Sequence, residues 1–91
     1  MSYDLLEHPN PKKFFKKHKN NKKLLIRINK KYLEISENPF RPEFKELNSN
    51  KCTKCQRARV GDYRIIFYVK RQDKLIEIID ILHRSNDYRL Y

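Results

Sequence analysis

The apolar positions change period near the middle of the chain. Between Lys22 and Glu37, Leu25, Ile28, Tyr32 and Ile35 recur at intervals of three and four, one stripe along a helix, and Leu24 and Leu33 widen it. Asn38-Pro39 ends that helix, because the residue before a proline avoids the α region. Upstream, Asn10-Pro11 reads as a helix start, with Asn as the cap and Pro at the first helical position, where no amide partner is needed. Residues 11–18 then turn Phe14, Phe15 and His18 to one side and lysines to the other, until Asn20-Asn21 interrupts. Residues 3–7 alternate as a short strand, with Tyr3, Leu5 and Glu7 on one side. Residues 39–50 are irregular, with Phe40, Phe44 and Leu47 as anchors.

From Cys55 the period is two. Residues 55–60 place Gln56, Ala58 and Val60 on one face, and Gly61-Asp62 is a two-residue turn that opens on glycine. In residues 63–70, Tyr63, Ile65, Phe67 and Val69 alternate with Arg64, Ile66, Tyr68 and Lys70. Residues 71–74 turn again, and residues 75–82 are apolar on both faces, as an interior strand is. The order strand, helix, helix, strand, strand, strand predicts an α+β fold, with the helical hairpin packed on one face of a small antiparallel-rich sheet. The other sheet face is then bare. With 91 residues there is chain for one domain, 1–91.

Composition narrows the partners. Lys plus Arg is 22 against 11 for Asp plus Glu, a net charge of +11 that attracts polyanions before any specific contact forms. Nucleic acid, an acidic membrane surface or an acidic protein could each supply the opposite charge, and a merely lysine-rich soluble surface would look the same. No apolar run approaches the ~20 residues that span a bilayer, and the N-terminus lacks the pattern of a signal peptide, so the expected location is the cytoplasm.

The hairpin turn fixes a register. If Gly61-Asp62 is the whole loop, Val60 pairs with Tyr63, Arg59 with Arg64, Ala58 with Ile65 and Arg57 with Ile66. Arg57, Arg59 and Arg64 then share the face away from the helices. Like charges directly opposite on a sheet repel. An anion relieves that repulsion, and phosphate suits the guanidinium fork; a solvated face with its charges splayed is the plainer alternative. His83 and Arg84 end the last strand and Tyr88 follows, so that strand's end is expected to deliver Arg84 near the same face. A histidine and a tyrosine beside phosphate-binding arginines form a set able to cut RNA by attack of the 2′-hydroxyl on the adjacent phosphate. Without further information the plainer readings prevail: His83 as an ordinary strand-end histidine and Tyr88 as an aromatic that packs the tail onto the sheet.

Cys52 and Cys55 form one C-x-x-C with no second ligand pair, which ranks free thiols first, a disulfide or intermolecular metal second and redox catalysis last. The lysines at 12, 13, 16, 17, 19, 22 and 23 read both as a solvated helix face and as a docking surface for RNA.

The run Arg57 to Tyr68, then Ile78-Ile79-Asp80-Ile81-Leu82-His83-Arg84 and Tyr88, resembles the RelE/ParE superfamily of toxins from toxin–antitoxin systems, nearest to RelE. The resemblance covers most of the chain. It implies a RelE-like, microbial-RNase-type fold and the toxin of a type II system: a ribosome-dependent endoribonuclease that cleaves messenger RNA and so stops translation. The alternatives are a ParE-like inhibitor of DNA gyrase and a non-catalytic basic RNA-binding module. It further implies that Arg57 and Arg59 contact the phosphate, that Arg64 holds the scissile phosphate, that Arg84 acts near the leaving group, and that Tyr88 stacks on the base or takes the proton. The usual RelE pattern has lysines at the two strand positions. Arginine does not give up its proton in a protein, so the general base falls to Tyr88 or His83. The implied partners are an acidic RelB-type antitoxin, in a heterotetramer or larger complex, and the ribosome with its message. No membrane, cofactor or metal is called for.

Overall fold

The computed structural model describes residues 2–47 and 54–84; Cys52 and Tyr88 fall outside them. The chain runs β1 (Asp4–Glu7), α1 (Pro9–Lys17), α2 (Lys22–Glu37), β2 (Lys45–Leu47), β3 (Cys55–Val60), β4 (Tyr63–Lys70), a 3₁₀ turn (Arg71–Asp73) and β5 (Leu75–His83). The five strands form one sheet in the order β1-β5-β4-β3-β2. β1 runs parallel to β5, and every other neighbour is antiparallel.

Two local expectations are corrected here. The first helix begins two residues early, with His8 at the cap position and Pro9 inside, so Asn10 is already helical. Its amide instead donates to Asp80 Oδ2 at 3.2 Å, fastening α1 to β5. The stretch expected to be irregular contains the edge strand β2, paired with β3. α2 has the expected bounds, and Asn21 caps it by accepting from the Leu24 amide at 3.3 Å.

Both helices lie on one sheet face. Phe14, Leu24, Ile28, Tyr32 and Ile35 pack against Ala58, Val60, Ile65, Phe67, Ile76, Ile78 and Ile81, and Phe44 closes the lower end. Leu33, expected to widen the α2 stripe, is 59% exposed, and Phe40 is 46% exposed beside Tyr3 and the Arg71 guanidinium. The Tyr32 hydroxyl donates to Glu7 Oε2 at 2.9 Å, linking α2 to β1; burial first, then the Glu7 carboxylate, pushes this phenol far above its ordinary pKa. β4 and β5 slip by one residue between Ile66 and Phe67, so Ile66 faces Asp80 while Phe67 faces Ile78. The face away from the helices is not wholly bare. Cys55, Ile66 and Leu82 are buried there as a small second apolar cluster.

Glu77 on β5 accepts from His8 Nε2 at 2.9 Å and pairs with Lys70 Nζ at 3.1 Å. The His8 hydrogen bond, then that from Lys70, holds its carboxyl below the usual range. A carboxyl with a lowered folded pKa stabilises the fold above its unfolded value, about 4.3 for Glu, and that contribution fades as pH falls through the folded value. Thermal melts between pH 6 and pH 3 should therefore lose stability below about pH 4, and Glu77→Gln should flatten part of that loss.

Candidate nucleic-acid interface

Gly61, the one glycine of the sequence, makes the β3–β4 turn at φ +58°, the left-handed value that the first central residue of such hairpins adopts. The tight turn holds the register Val60↔Tyr63, Arg59↔Arg64, Ala58↔Ile65 and Arg57↔Ile66, as the sequence predicts. Ala58, Val60 and Ile65 go to the core, so alternation sends Arg57, Arg59 and Arg64 to the opposite face. Directly opposed Cβ atoms on a sheet lie about 5 Å apart. Arg59 is exposed, and Arg57 and Arg64 are half-buried, paired across the strands with Ile66 and Leu82 of the second apolar cluster. Positive charge is thus concentrated beside an apolar floor, where a phosphate gains more than it would in open water.

Two more arginines meet at the turn. The Arg84 amide donates to the Asp62 carbonyl at 2.9 Å, and its Nε lies 3.6 Å from Asp62 Oδ1, which fixes Arg84 at the rim beside the Arg59–Arg64 pair. Arg27, reaching from α2, lays its guanidinium across Gly61: a Cβ there would stand 2.9 Å from its Nη2 and 3.3 Å from its Nη1. Arg27 belongs to no apolar stripe, so periodicity gives it no signal; the one pointer is a lone glycine at the turn. Gly61→Ala is expected to cost about 1–2 kcal/mol, from the left-handed backbone rather than from the clash, since a flexible side-chain end can swing aside. Chemical denaturation measures it.

His83 is separated from the arginines. It pairs with Tyr63, and their rings meet edge to face at 5.0 Å on the helix side of the sheet. Consecutive residues therefore go to different places, with Arg84 at the arginine rim and His83 behind it. Tyr88, the other candidate base, lies outside the described residues. Cys55 is buried and disulfide-bonded, which corrects the ranking that put a free thiol first; Cys52 lies outside the described residues. Among the described residues, no three His, Cys, Asp or Glu side chains converge as metal ligands, and no helix is long and apolar enough to cross a membrane.

Comparison with known proteins agrees with this architecture. A family model described as the ParE toxin of the type II toxin–antitoxin system, parDE, matches residues 5–88. The structure of the toxin–antitoxin complex RelBE2 from Mycobacterium tuberculosis aligns with a TM-score of 0.77 at 20% identity, over 94% of this chain and 95% of that one. An arginine mutant of the E. coli toxin RelE in the free state aligns at 0.74 and 18% identity, over 100% and 92%. The archaeal RelE–RelB complex from Pyrococcus horikoshii aligns at 0.55 and 27% identity, over 94% and 99%. No curated protein sequence matches the chain.

Proposed function

The chain belongs to the ParE toxin family of type II toxin–antitoxin systems, and from that premise we propose that this toxin is an endoribonuclease that cuts messenger RNA on the ribosome. One observation carries the proposal: Arg59 stands directly opposite Arg64, with Arg57 two residues along the same strand face. Such a trio matches a phosphodiester passing to a dianionic, five-coordinate transition state. In the reaction the 2′-oxygen attacks the adjacent phosphorus, the bond from phosphorus to the 5′-oxygen breaks, and the products are a 2′,3′-cyclic phosphate and a 5′-hydroxyl. Arg59 and Arg64 stabilise the charge that develops on the phosphoryl oxygens. Arg84, which pairs with Asp62 at the turn, is assigned the role of neutralising the departing oxygen.

Guanidinium groups do not accept the 2′-proton, and His83 opens on the other side of the sheet. The face on its own is thus better equipped to hold a transition state than to start the proton transfer; the 2′-proton is assigned to Tyr88 or to solvent, the departing 5′-oxygen takes one from the same source, and positioning by the ribosome supplies the rest. Cleavage of free RNA is expected to be slow. The proposed partner that silences the toxin is an acidic antitoxin: two of the structural relatives were determined as toxin–antitoxin complexes, and a net charge of +11 favours fast, salt-sensitive association with an acidic protein.

The family description favours a second reading, inhibition of DNA gyrase. Brief expression in cells, with incorporation of labelled amino acids and labelled thymidine followed in parallel, separates the two. Nuclease action stops amino-acid incorporation first. A fall in thymidine incorporation first, with relaxed plasmid DNA, would favour gyrase inhibition.

A further inference from the structure

A cleft of about 430 Å³ lies on the far side of the sheet from the arginines, between α1 and the end of β5. It exists because β1 ends opposite Ile78, so that beyond this point no strand covers the outer edge of β5, against which α1 packs. Lys13 and Lys17, one helical turn apart, stand along one wall, and Tyr63 and His83 form the other. Both lysines are exposed, and neither makes an ion pair among the described residues.

The ring chemistry in this cleft is specific. Tyr63 is half-buried, with Phe14, His18 and His83 around it at centroid distances of 5.4, 6.0 and 5.0 Å. His18 Nδ1 lies 2.9 Å from the Phe14 carbonyl oxygen, which can only accept, so Nδ1 carries the proton and Nε2 is left to meet a ligand. At the other end, Asp80 lines the cleft and accepts from Asn10 and from the Ile81 amide. Flat faces, two cations and the His18 Nε2 acceptor fit a heteroaromatic ring joined to a hydroxylated sugar and a phosphate. A carboxylate-rich peptide brings no ring and sets like charge against Asp80.

We propose that this cleft binds a nucleotide, its base against Tyr63 and His83, its phosphate at Lys13 and Lys17, and a sugar hydroxyl donating to His18 Nε2. Base stacking on aromatic rings and lysine contacts to phosphate are the two terms that hold single-stranded nucleic acid. The nucleotide is either free or one unit of an RNA strand. The second source rests on the arginine-face reading, because His83 and Arg84 are neighbours and a strand gripped at the Arg59–Arg64 rim passes directly over that edge into the cleft.

The test is a nuclear magnetic resonance titration of the full-length chain with adenosine monophosphate, with a single-stranded RNA hexamer and with hexaglutamate. The expected result is displacement of the Tyr63, His18 and His83 ring signals by the nucleotide. The Lys13→Ala, Lys17→Ala double variant, whose changes are confined to an exposed helix face, should weaken nucleotide binding at least ~10-fold; for RNA it should lower the slope of log affinity against log salt by about 0.7 for each phosphate no longer neutralised. Much tighter binding of the hexamer than of the mononucleotide supports an RNA strand as the source, and equal affinities support a free nucleotide. Ring signals that stay still with both nucleic-acid ligands, or that move only with hexaglutamate, would overturn the proposal. Because the readout is binding, it stands or falls separately from any failure to cleave RNA.

Discussion

Replacing Arg64 with alanine should lower RNA cleavage and growth arrest by about 10²–10³-fold, the usual loss when one charge-stabilising donor is removed from a transition state. Arg64 lies between Arg59 on β3 and Leu82 on β5, in the centre of the arginine face. The fold should survive, because backbone pairing and not the guanidinium sets this register, and because the variant removes one of two opposed like charges. Arg64→Lys keeps the charge but loses the planar fork, so an intermediate rate is expected. Initial cleavage rates on programmed ribosomes, with circular dichroism to confirm folding, check both variants.

The second large effect is on stability. Phe67→Ala is expected to cost about 3–5 kcal/mol, the range for emptying a buried aromatic site. Phe67 is fully buried on β4 at the bulge, between Gln56 and Ile78, with the Phe44 ring edge-on at 5.6 Å. Domains of this size are stable by only about 5–15 kcal/mol, so the substitution removes a large share of the margin. It should also loosen the strand that carries Arg64, with loss of activity following loss of fold. Urea unfolding, read as a shift in midpoint at constant slope, measures it.

The arginine face was legible in the sequence because a two-residue turn and strict alternation leave one register in which Ala58, Val60, Tyr63 and Ile65 all turn toward the helices. The same parity assigns His83 to the helix side, opposite Tyr63. Grouping it with Arg84 followed nearness along the chain, whereas neighbouring strand residues point to opposite faces. The bulge opposite Ile66 and Phe67 leaves no trace in the sequence, because β5 is apolar on both sides and one inserted residue does not break its pattern. β2 is three residues long, too short for alternation to register. The early start of α1 was hidden by two prolines, Pro9 and Pro11, either of which can open a helix. Arg27 came to the site through space alone, across the room left by Gly61.

The chemistry assigned to the arginine face is tested most directly by the ends it leaves. A defined message on ribosomes, incubated with the purified toxin, should be cut to an upstream fragment ending in a 2′,3′-cyclic phosphate and a downstream fragment beginning with a 5′-hydroxyl. A single 2′-deoxy substitution at the cut should abolish that cut, and Arg64→Ala should suppress cleavage of the unsubstituted message. An intact message under conditions where the same preparation blocks supercoiling by purified gyrase would contradict the account.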